Sequence, residues 1–360
     1  MTLELRNVTK RVGADTHIHE TSLRLEPGEF NILLGATNAG KSTLIKLMAG
    51  LEKPTSGEIR VDGENVTGLS PQKRNISLVH QFFINYPHMT VFDNIASPLR
   101  VAGIPKSEIA GRVEQAADIL QLRPMLHRRP DELSGGQQQR CALARAIVKE
   151  SKAIFLDEPL ANLDYKLREE LREQLPDLLA GRGTVIVYAT SEPTEALLLG
   201  GRTALVHEGR IVQFGPTTEI YHNPANQLSA TVFSDPPVNL APVVKRGNRI
   251  ELAGGHGWTV EGAVAAIPDG AYTVGVRPHF VSPVPVHERT VPIRGVVRIT
   301  ELSGSESVAH FEMGGHVWVS LSPGVHAYKV GEEHEFYMAP EHCFYFGENG
   351  DLVIKGDADG

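Results

Sequence analysis

Cysteine is almost absent from this chain: 360 residues contain two, Cys141 and Cys343, far apart and in no CxxC spacing. That spacing gives no basis for a disulfide framework or a thiolate metal site, so the pair reads as two small core hydrophobes in a reducing compartment. Also missing is any apolar run near the ~18 residues a membrane-spanning helix needs, and the N-terminal MTLELRNVTK has no basic-then-apolar signal pattern. The chain is therefore expected to stay in the cytoplasm and not to cross a membrane itself. An excess of positive charge is lacking too, since 35 Lys and Arg against 43 Asp and Glu leave a net charge of -8. No nucleic-acid partner is expected, because gripping a phosphate backbone needs a basic face. Low-complexity tracts and sustained heptads are absent as well, which removes extended coiled coils.

What is present belongs to an ordinary globular protein, 41% hydrophobic and 22% charged, long enough for two domains with real cores. Over the first ~230 residues short apolar runs alternate with helical patterns, the mark of an α/β layer architecture. Strands are expected at FNILL (30–34), ISLV (76–79), AIFL (153–156), TVIV (184–187) and TALV (203–206). Helices are expected at 41–50, 107–122, 137–149 and 165–180, with a mainly helical insertion between ISLV and AIFL. At SDPPVNLAP (234–242) consecutive prolines favour an extended linker. Beyond it YTVGVRP, GVVRIT, SVAHFEM and HVWVSL alternate with Gly-rich turns, which reads as a small all-β barrel.

GATNAGKST (35–43) fits GxxxxGK[ST] between an apolar strand and a helical run, the context that motif requires. Gly35, Ala36, Thr37, Asn38, Ala39 and Gly40 are small or turn-tolerant, so backbone N–H groups can curl around phosphates at a helix N-terminus. Lys41 can then reach the β and γ phosphates, and Ser42, followed by Thr43, can ligate Mg²⁺. AIFLDEP (153–159) ends a buried strand in two carboxylates, costly unless a cation or water uses them. Asp157 is placed to hold Mg²⁺ through water and Glu158 to polarise an attacking water. LSGGQQQRCALARAI (133–147) adds a second anion-binding helix start, at Ser134, Gly135, Gly136 and Gln137. Two phosphate cradles in one chain imply a composite site shared between subunits.

With these motifs the sequence resembles the ATP-binding subunits of ABC transporters over essentially its whole length. The resemblance makes GATNAGKST the Walker A loop, LSGGQ the signature, IFLDEP the Walker B strand, ANLD (161–164) the D-loop and Gln81 the Q-loop glutamine, which senses Mg²⁺ and the membrane partner. INYPHMTVFDNIASPL looks like the sugar-importer branch, and VGVRPHF (274–280) with GVVRITELSGSESVAHF (295–311) resembles that branch's regulatory β domain. It implies an α/β P-loop ATPase at 1–235, with a helical subdomain at about 85–150, followed at 236–360 by a small all-β domain, OB-like and of the TOBE type. It further implies ATP and Mg²⁺ as cofactors and two transmembrane permease subunits as partners. An external solute-binding protein would act indirectly, with the chain peripheral on the cytoplasmic face of the inner membrane. The solute implied is a carbohydrate, a polyol such as glycerol, or glycerol phosphate.

Two positions depart from the family pattern. In YATSEPTEA the switch histidine falls on Ser191, which can hydrogen-bond a phosphate oxygen but has no cationic form near neutral pH. Val12 stands where an aromatic usually stacks on adenine, and it lacks the extended π face. Both departures belong to the half-site of this chain's own Walker A loop, whereas its signature is intact. They favour pairing with a second, non-identical ATP-binding subunit over a homodimer, with the chain's own half-site impaired. A small-molecule kinase would have no use for LSGGQ ahead of the Walker B strand. A soluble repair or translation ATPase would bring a second cassette or a coiled-coil insertion. In the tail His279, His310, His316, His334 and His342 fall on separate expected strands without ligand spacing, so they read as scattered histidines.

Overall fold

The computed structural model describes residues 2–82, 84–161, 163–179, 183–252 and 255–356. Asn162 of ANLD, Ala180 at the end of an expected helix, and residues 357–360 of the expected β domain lie outside the described residues. The chain divides into two compact units, Met1–Thr218 and Glu219–Gly360.

The first unit opens with β1 (Leu3–Val12), β2 (Asp15–Leu25), β3 (Phe30–Leu34), α1 (Lys41–Ala49), β4 (Ser56–Val61), β5 (Glu64–Asn65), α2 (Pro71–Arg74) and β6 (Ile76–Val79). Three helices follow, α3 (Val91–Val101), α4 (Lys106–Ile119) and α5 (Gly135–Ile147). It closes with β7 (Ala153–Asp157), α6 (Tyr165–Leu179), β8 (Val185–Thr190), α7 (Pro193–Leu199), β9 (Arg202–His207) and β10 (Arg210–Pro216). Six strands form one sheet in the order β10-β9-β3-β8-β7-β6, parallel except for β10. Every residue of β3, β7 and β8 is buried, as expected of parallel strands covered on both faces. A second, antiparallel sheet runs β2-β1-β4-β5. Leu44, Ile45, Leu47 and Met48 of α1 share one core with Leu3, Leu5 and Ile18 of this sheet and with Leu33, Phe155 and Val187 of the other. Helix α1 is thereby anchored between both sheets, and its N-terminus meets the carboxyl end of β3.

FNILL and ISLV are β3 and β6 residue for residue. TVIV differs, since β8 starts one residue later and runs on to Thr190, where Tyr188 pairs with Leu156 and Thr190 with Leu34. YAT is therefore strand, and Ser191 is the first residue past it. Helix α5 begins at Gly135 rather than residue 137, because Ser134 caps it. Sheet β2-β1-β4-β5 was not among the expected elements: β2 reads DTHIHETSLRL and buries only Ile18, Thr21, Leu23 and Leu25.

The second unit is built on two antiparallel-paired sheets. Its strands are β11 (Asn239–Arg246), β12 (Arg249–Leu252), β13 (Gly257–Thr259), β14 (Gly270–Val276), β15 (Val281–Ser282), β16 (Val291–Leu302), β17 (Glu306–Met313), β18 (His316–Pro323), β19 (Glu333–Met338), β20 (Phe344–Phe346) and β21 (Leu352–Lys355). The sheets run β13-β12-β11-β14-β20-β21 and β15-β19-β16-β17-β18. Ile250, Val274 and Tyr345 of the first share a core with Ile293, Phe311, Trp318 and Phe336 of the second. The four β-type runs read from the sequence fall on β14, β16, β17 and β18, while the stretch read as linker is already strand from Asn239. Among the described residues no helix is long and apolar enough to cross a membrane, and no group of three or more His, Cys, Asp or Glu is arranged to hold a metal ion.

Candidate active site

Residues 35–40 carry the chain from the end of β3 into α1, and their shape follows from what each position tolerates. Asn38 and Gly40 have φ of 67° and 112°, the left-handed region that Asn and Gly enter at least cost. Gly35 answers to space, because a Cβ there would sit 2.1 Å from the Val206 carbonyl oxygen. The loop is tied at both ends: the Gly35 amide donates to Thr190 O at 3.3 Å, and Ala39 O accepts from the Gly209 amide at 2.8 Å. Between those ties Ala36, Thr37 and Asn38 are exposed, leaving an open crest. The first helical bond of α1 joins Leu44 N to Gly40 O, so the amides of Lys41, Ser42 and Thr43 precede it at the helix's positive end.

Lys41 is buried, and its Nζ donates to Gly35 O at 2.7 Å and Ala36 O at 3.0 Å. The same ammonium lies 3.3 Å from Glu158 Oε1. Burial pulls its pKa below the ordinary lysine value, and the Glu158 carboxylate opposes that shift. Ser42 Oγ donates to Asp157 Oδ1 at 3.0 Å, joining α1 to the end of β7 across 115 residues of sequence. Asp157 is 2% exposed, and burial pushes its carboxyl above the usual carboxylate value, against the Ser42 hydrogen bond and the nearby His80. His80 escaped the sequence reading, although its place directly after β6 is where such a strand delivers functional side chains.

Glu158 follows β7 in a left-handed conformation, φ 48°, uncommon for a residue with a Cβ. Its amide donates to Ala189 O at 3.0 Å, and its Oε2 accepts from Gln81 Nε2 at 3.1 Å. Five residues from three separate segments, Lys41, Ser42, Gln81, Asp157 and Glu158, are thus joined by direct contacts. Ser191 is exposed immediately beyond β8, and the strand it follows is tied to both the Gly35 loop and Glu158.

Ser134 caps α5 by accepting from Gln137 N at 3.3 Å, while Gln137 Oε1 accepts from Ser134 N at 3.0 Å. Ser134 and Gly135 are exposed at that helix start. Farther along α5, Gln139 Nε2 donates to Pro159 O. Among the described residues no hydrogen bond or ion pair joins Ser134, Gly135 or Gly136 to Lys41 or Ser42. Val12 is half exposed at the end of β1, opposite Asp15. It too makes no described contact with those residues.

The model of the family described as ABC transporter matches residues 18–161. The sn-glycerol-3-phosphate import ATP-binding protein UgpC of Cupriavidus necator is 37% identical over 356 residues, 96% of each chain. The chain belongs to the ABC transporter family. Within it, the maltose/maltodextrin import ATP-binding protein MalK of Mannheimia succiniciproducens is 36% identical over 360 residues, covering 97% of this chain and 96% of its own. A dimeric ATP-binding cassette, MJ0796 in a post-hydrolysis state bound to ADP and Pi, superposes with a TM-score of 0.55 at 28% identity, covering 60% of this chain and 98% of that one. The fold of the first unit is thus the ABC ATPase P-loop fold, and a second unit built mainly of antiparallel sheets follows it.

Proposed function

We propose that this chain is the ATP-binding and ATP-hydrolysing subunit of an importer, driving uptake of a carbohydrate, a polyol such as glycerol, or glycerol phosphate through two separate permease subunits. It would work on the cytoplasmic face of the inner membrane, where an external solute-binding protein acts on it only indirectly. The ATP-binding domain is read as residues 1–235, with a helical subdomain at about 85–150, and the regulatory β domain as 236–360. The observation that carries this reading is the convergence of Lys41, Ser42, Gln81, Asp157 and Glu158 at one end of a parallel sheet. Relatives named for sn-glycerol-3-phosphate and maltose import support the solute class.

ATP phosphates would lie against the amides of residues 36–43 and take Lys41 Nζ from its carbonyl and Glu158 partners. The hydroxyl and carboxylate oxygens of Ser42 and Asp157 suit Mg²⁺, which keeps several waters and takes its remaining ligands from phosphate. The buried Asp157 with its raised pKa is the group in this site most in need of a cation. When bound, Mg²⁺ would be held by Ser42 and Asp157 and would neutralise phosphate charge. Glu158 accepts a proton from the water whose oxygen attacks the γ phosphorus, while the bond from that phosphorus to the bridging oxygen of ADP breaks. Gln81 holds Glu158 from the β6 side, and Ser191 donates to a γ-phosphate oxygen. Val12 would pack on the adenine, and Ser134, Gly135, Gly136 and Gln137 would close on the nucleotide of a facing subunit.

Because Ser191 and Val12 weaken only the chain's own half-site, the facing subunit is read as a second, non-identical ATP-binding subunit. Hydrolysis by the purified chain alone, and with the ATP-binding subunit encoded beside it, tests both levels. Weak turnover alone, recovery with Ser191→His, and an active pair despite Glu158→Gln support asymmetric sites. Brisk turnover alone that Glu158→Gln abolishes makes the chain a self-sufficient homodimeric ATPase and overturns the non-identical partner. No hydrolysis in any combination overturns the ATPase reading itself.

A further inference from the structure

Behind Ser191 lies a buried polar network that neither the motifs nor the family likeness assigns to the reaction. Glu195 of α7 is 4% exposed, and its Oε2 accepts from Thr190 Oγ1 at 2.6 Å and Tyr188 OH at 3.0 Å. Its Oε1 lies 3.3 Å from Nη2 of Arg172 on α6, a side chain only 7% exposed. Arg172 also binds Glu169 at 2.6 Å and Glu192 at 3.2 Å, and Arg168 holds Glu192 at 3.0 Å. A buried ion pair of this kind is poor value as stability alone, since apolar residues of similar volume do as well or better. What such a pair does supply is a fixed geometry.

The geometry it fixes is the turn that carries Ser191. Thr190 Oγ1 spends its proton on Glu195 and turns its lone pairs to the Glu192 amide, which donates to it at 3.0 Å. That bond from residue 192 back to the side chain of residue 190 spans Ser191, and it is the local hydroxyl turn by which Ser and Thr set a backbone. Glu192, on the far side of Ser191, is gripped by two arginines of α6. The main chain before Ser191 is fixed as well, since Thr190 O accepts from Gly35 N and Ala189 O from Glu158 N. Ser191 is therefore the exposed residue of a turn clamped on both sides, joined through one strand end to the phosphate loop and to Glu158.

We propose that Thr190 and Glu195 are positioning residues for nucleotide recognition: the buried Glu195 carboxylate orients the Thr190 hydroxyl, which closes the turn that aims Ser191 at the γ phosphate. The proposal rests on the reading of Ser191 given under Proposed function. Arg172, 3.3 Å from Glu195 Oε1, holds that carboxylate from the α6 side.

The test is the ratio of ADP to ATP dissociation constants, read by displacement of a fluorescent nucleotide from the full-length chain with Mg²⁺. It requires neither turnover nor a partner subunit. Ser191→Ala is expected to lower the ratio about tenfold or more, the effect of one hydrogen bond to a charged group, with ADP affinity unchanged. Thr190→Val, which keeps the shape and removes the hydroxyl, and Glu195→Gln should do the same. Thr190→Ser should restore the ratio. The Ser191→Ala, Thr190→Val double variant should lose no more than either single, because both act through one contact. If Thr190→Val weakens ADP and ATP alike, or its loss adds to that of Ser191→Ala, the network is only structural and the proposal fails. Should Ser191→Ala itself leave the ratio unchanged, the reading of Ser191 as a γ-phosphate contact falls, and the positioning role falls with it.

Discussion

Asp157 and Glu158 are adjacent and meet opposite solutions to the same difficulty. Glu158 meets Lys41 and Gln81 directly, whereas the buried Asp157 accepts from the Ser42 hydroxyl and feels His80 and Lys41 only at longer range. Burial holds the folded-state pKa of Asp157 above that of the unfolded chain. As pH rises through the ordinary carboxylate range the unfolded chain ionises at this position first, so the folded state binds more protons and stability falls with pH until the raised folded value is passed. Asp157→Asn removes that burden. The nucleotide-free variant is expected to be at least as stable as the parent at pH 7, and its stability should fall less steeply as pH rises above the ordinary Asp value of about 4. It should also lose the stabilisation that Mg²⁺ with ATP gives the parent. Denaturant melts across pH, with and without Mg²⁺ and ATP, check all three. A variant less stable than the parent at pH 7 without nucleotide would show that Asp157 serves the fold rather than a cation.

Helix α5 illustrates how one element carries two tasks with the same residues. Its first turn is closed by the reciprocal Ser134 and Gln137 bonds, a capping box, and the same turn exposes the amides that would meet a phosphate from another chain. Ser134→Ala should cost about 1 kcal/mol of stability through the lost cap, seen as a lower denaturant midpoint at unchanged slope. Ser134→Asn keeps a capping side chain and should keep most of the stability, but its bulkier amide should lower turnover in the assembled ATPase. Equal stability loss in the two variants would remove the capping account. The elements most legible in the sequence are those with a single reason to exist. FNILL and ISLV are short buried runs and sit where composition places them, and GATNAGKST declares both a loop and a helix start. Strand β8 extends three residues beyond TVIV, and the sequence hides this because Tyr188 and Thr190 look polar, whereas in the fold both hydroxyls are buried against Glu195. Nothing local announces that a glutamate at 195 meets an arginine at 172, or that Gln81 reaches Glu158. Such contacts are products of topology. Sheet β2-β1-β4-β5 stayed hidden for a related reason: its exposed faces dilute the alternation that would reveal it.

At the scale of the whole molecule, among the described residues no hydrogen bond or ion pair joins the two anion-ready helix starts. Lys41 and Ser42 are tied to Asp157 and Glu158, while Ser134 and Gly135 stand exposed at the start of α5. On the proposed reading one chain would present two halves of different sites, and a nucleotide enclosed on both sides would require a second cassette. If the weak half is the chain's own, as Ser191 and Val12 indicate, two copies would form two weak sites and one mixed pair a single good one. Glu158→Gln, with Mg²⁺ and ATP, removes hydrolysis as a route to opening and reports closure alone. Light scattering on that variant should find a monomer by itself, and a 1:1 complex once the neighbouring ATP-binding subunit, carrying its own glutamate substitution, is added. A stable dimer of identical chains under the same conditions would show that Ser191 suffices to hold a closed site, and the non-identical partner would then be unnecessary. The outcome turns on how much of the closing free energy comes from the γ-phosphate contact and how much from the signature helix facing it, since ATP can favour the closed state only by what it gains there.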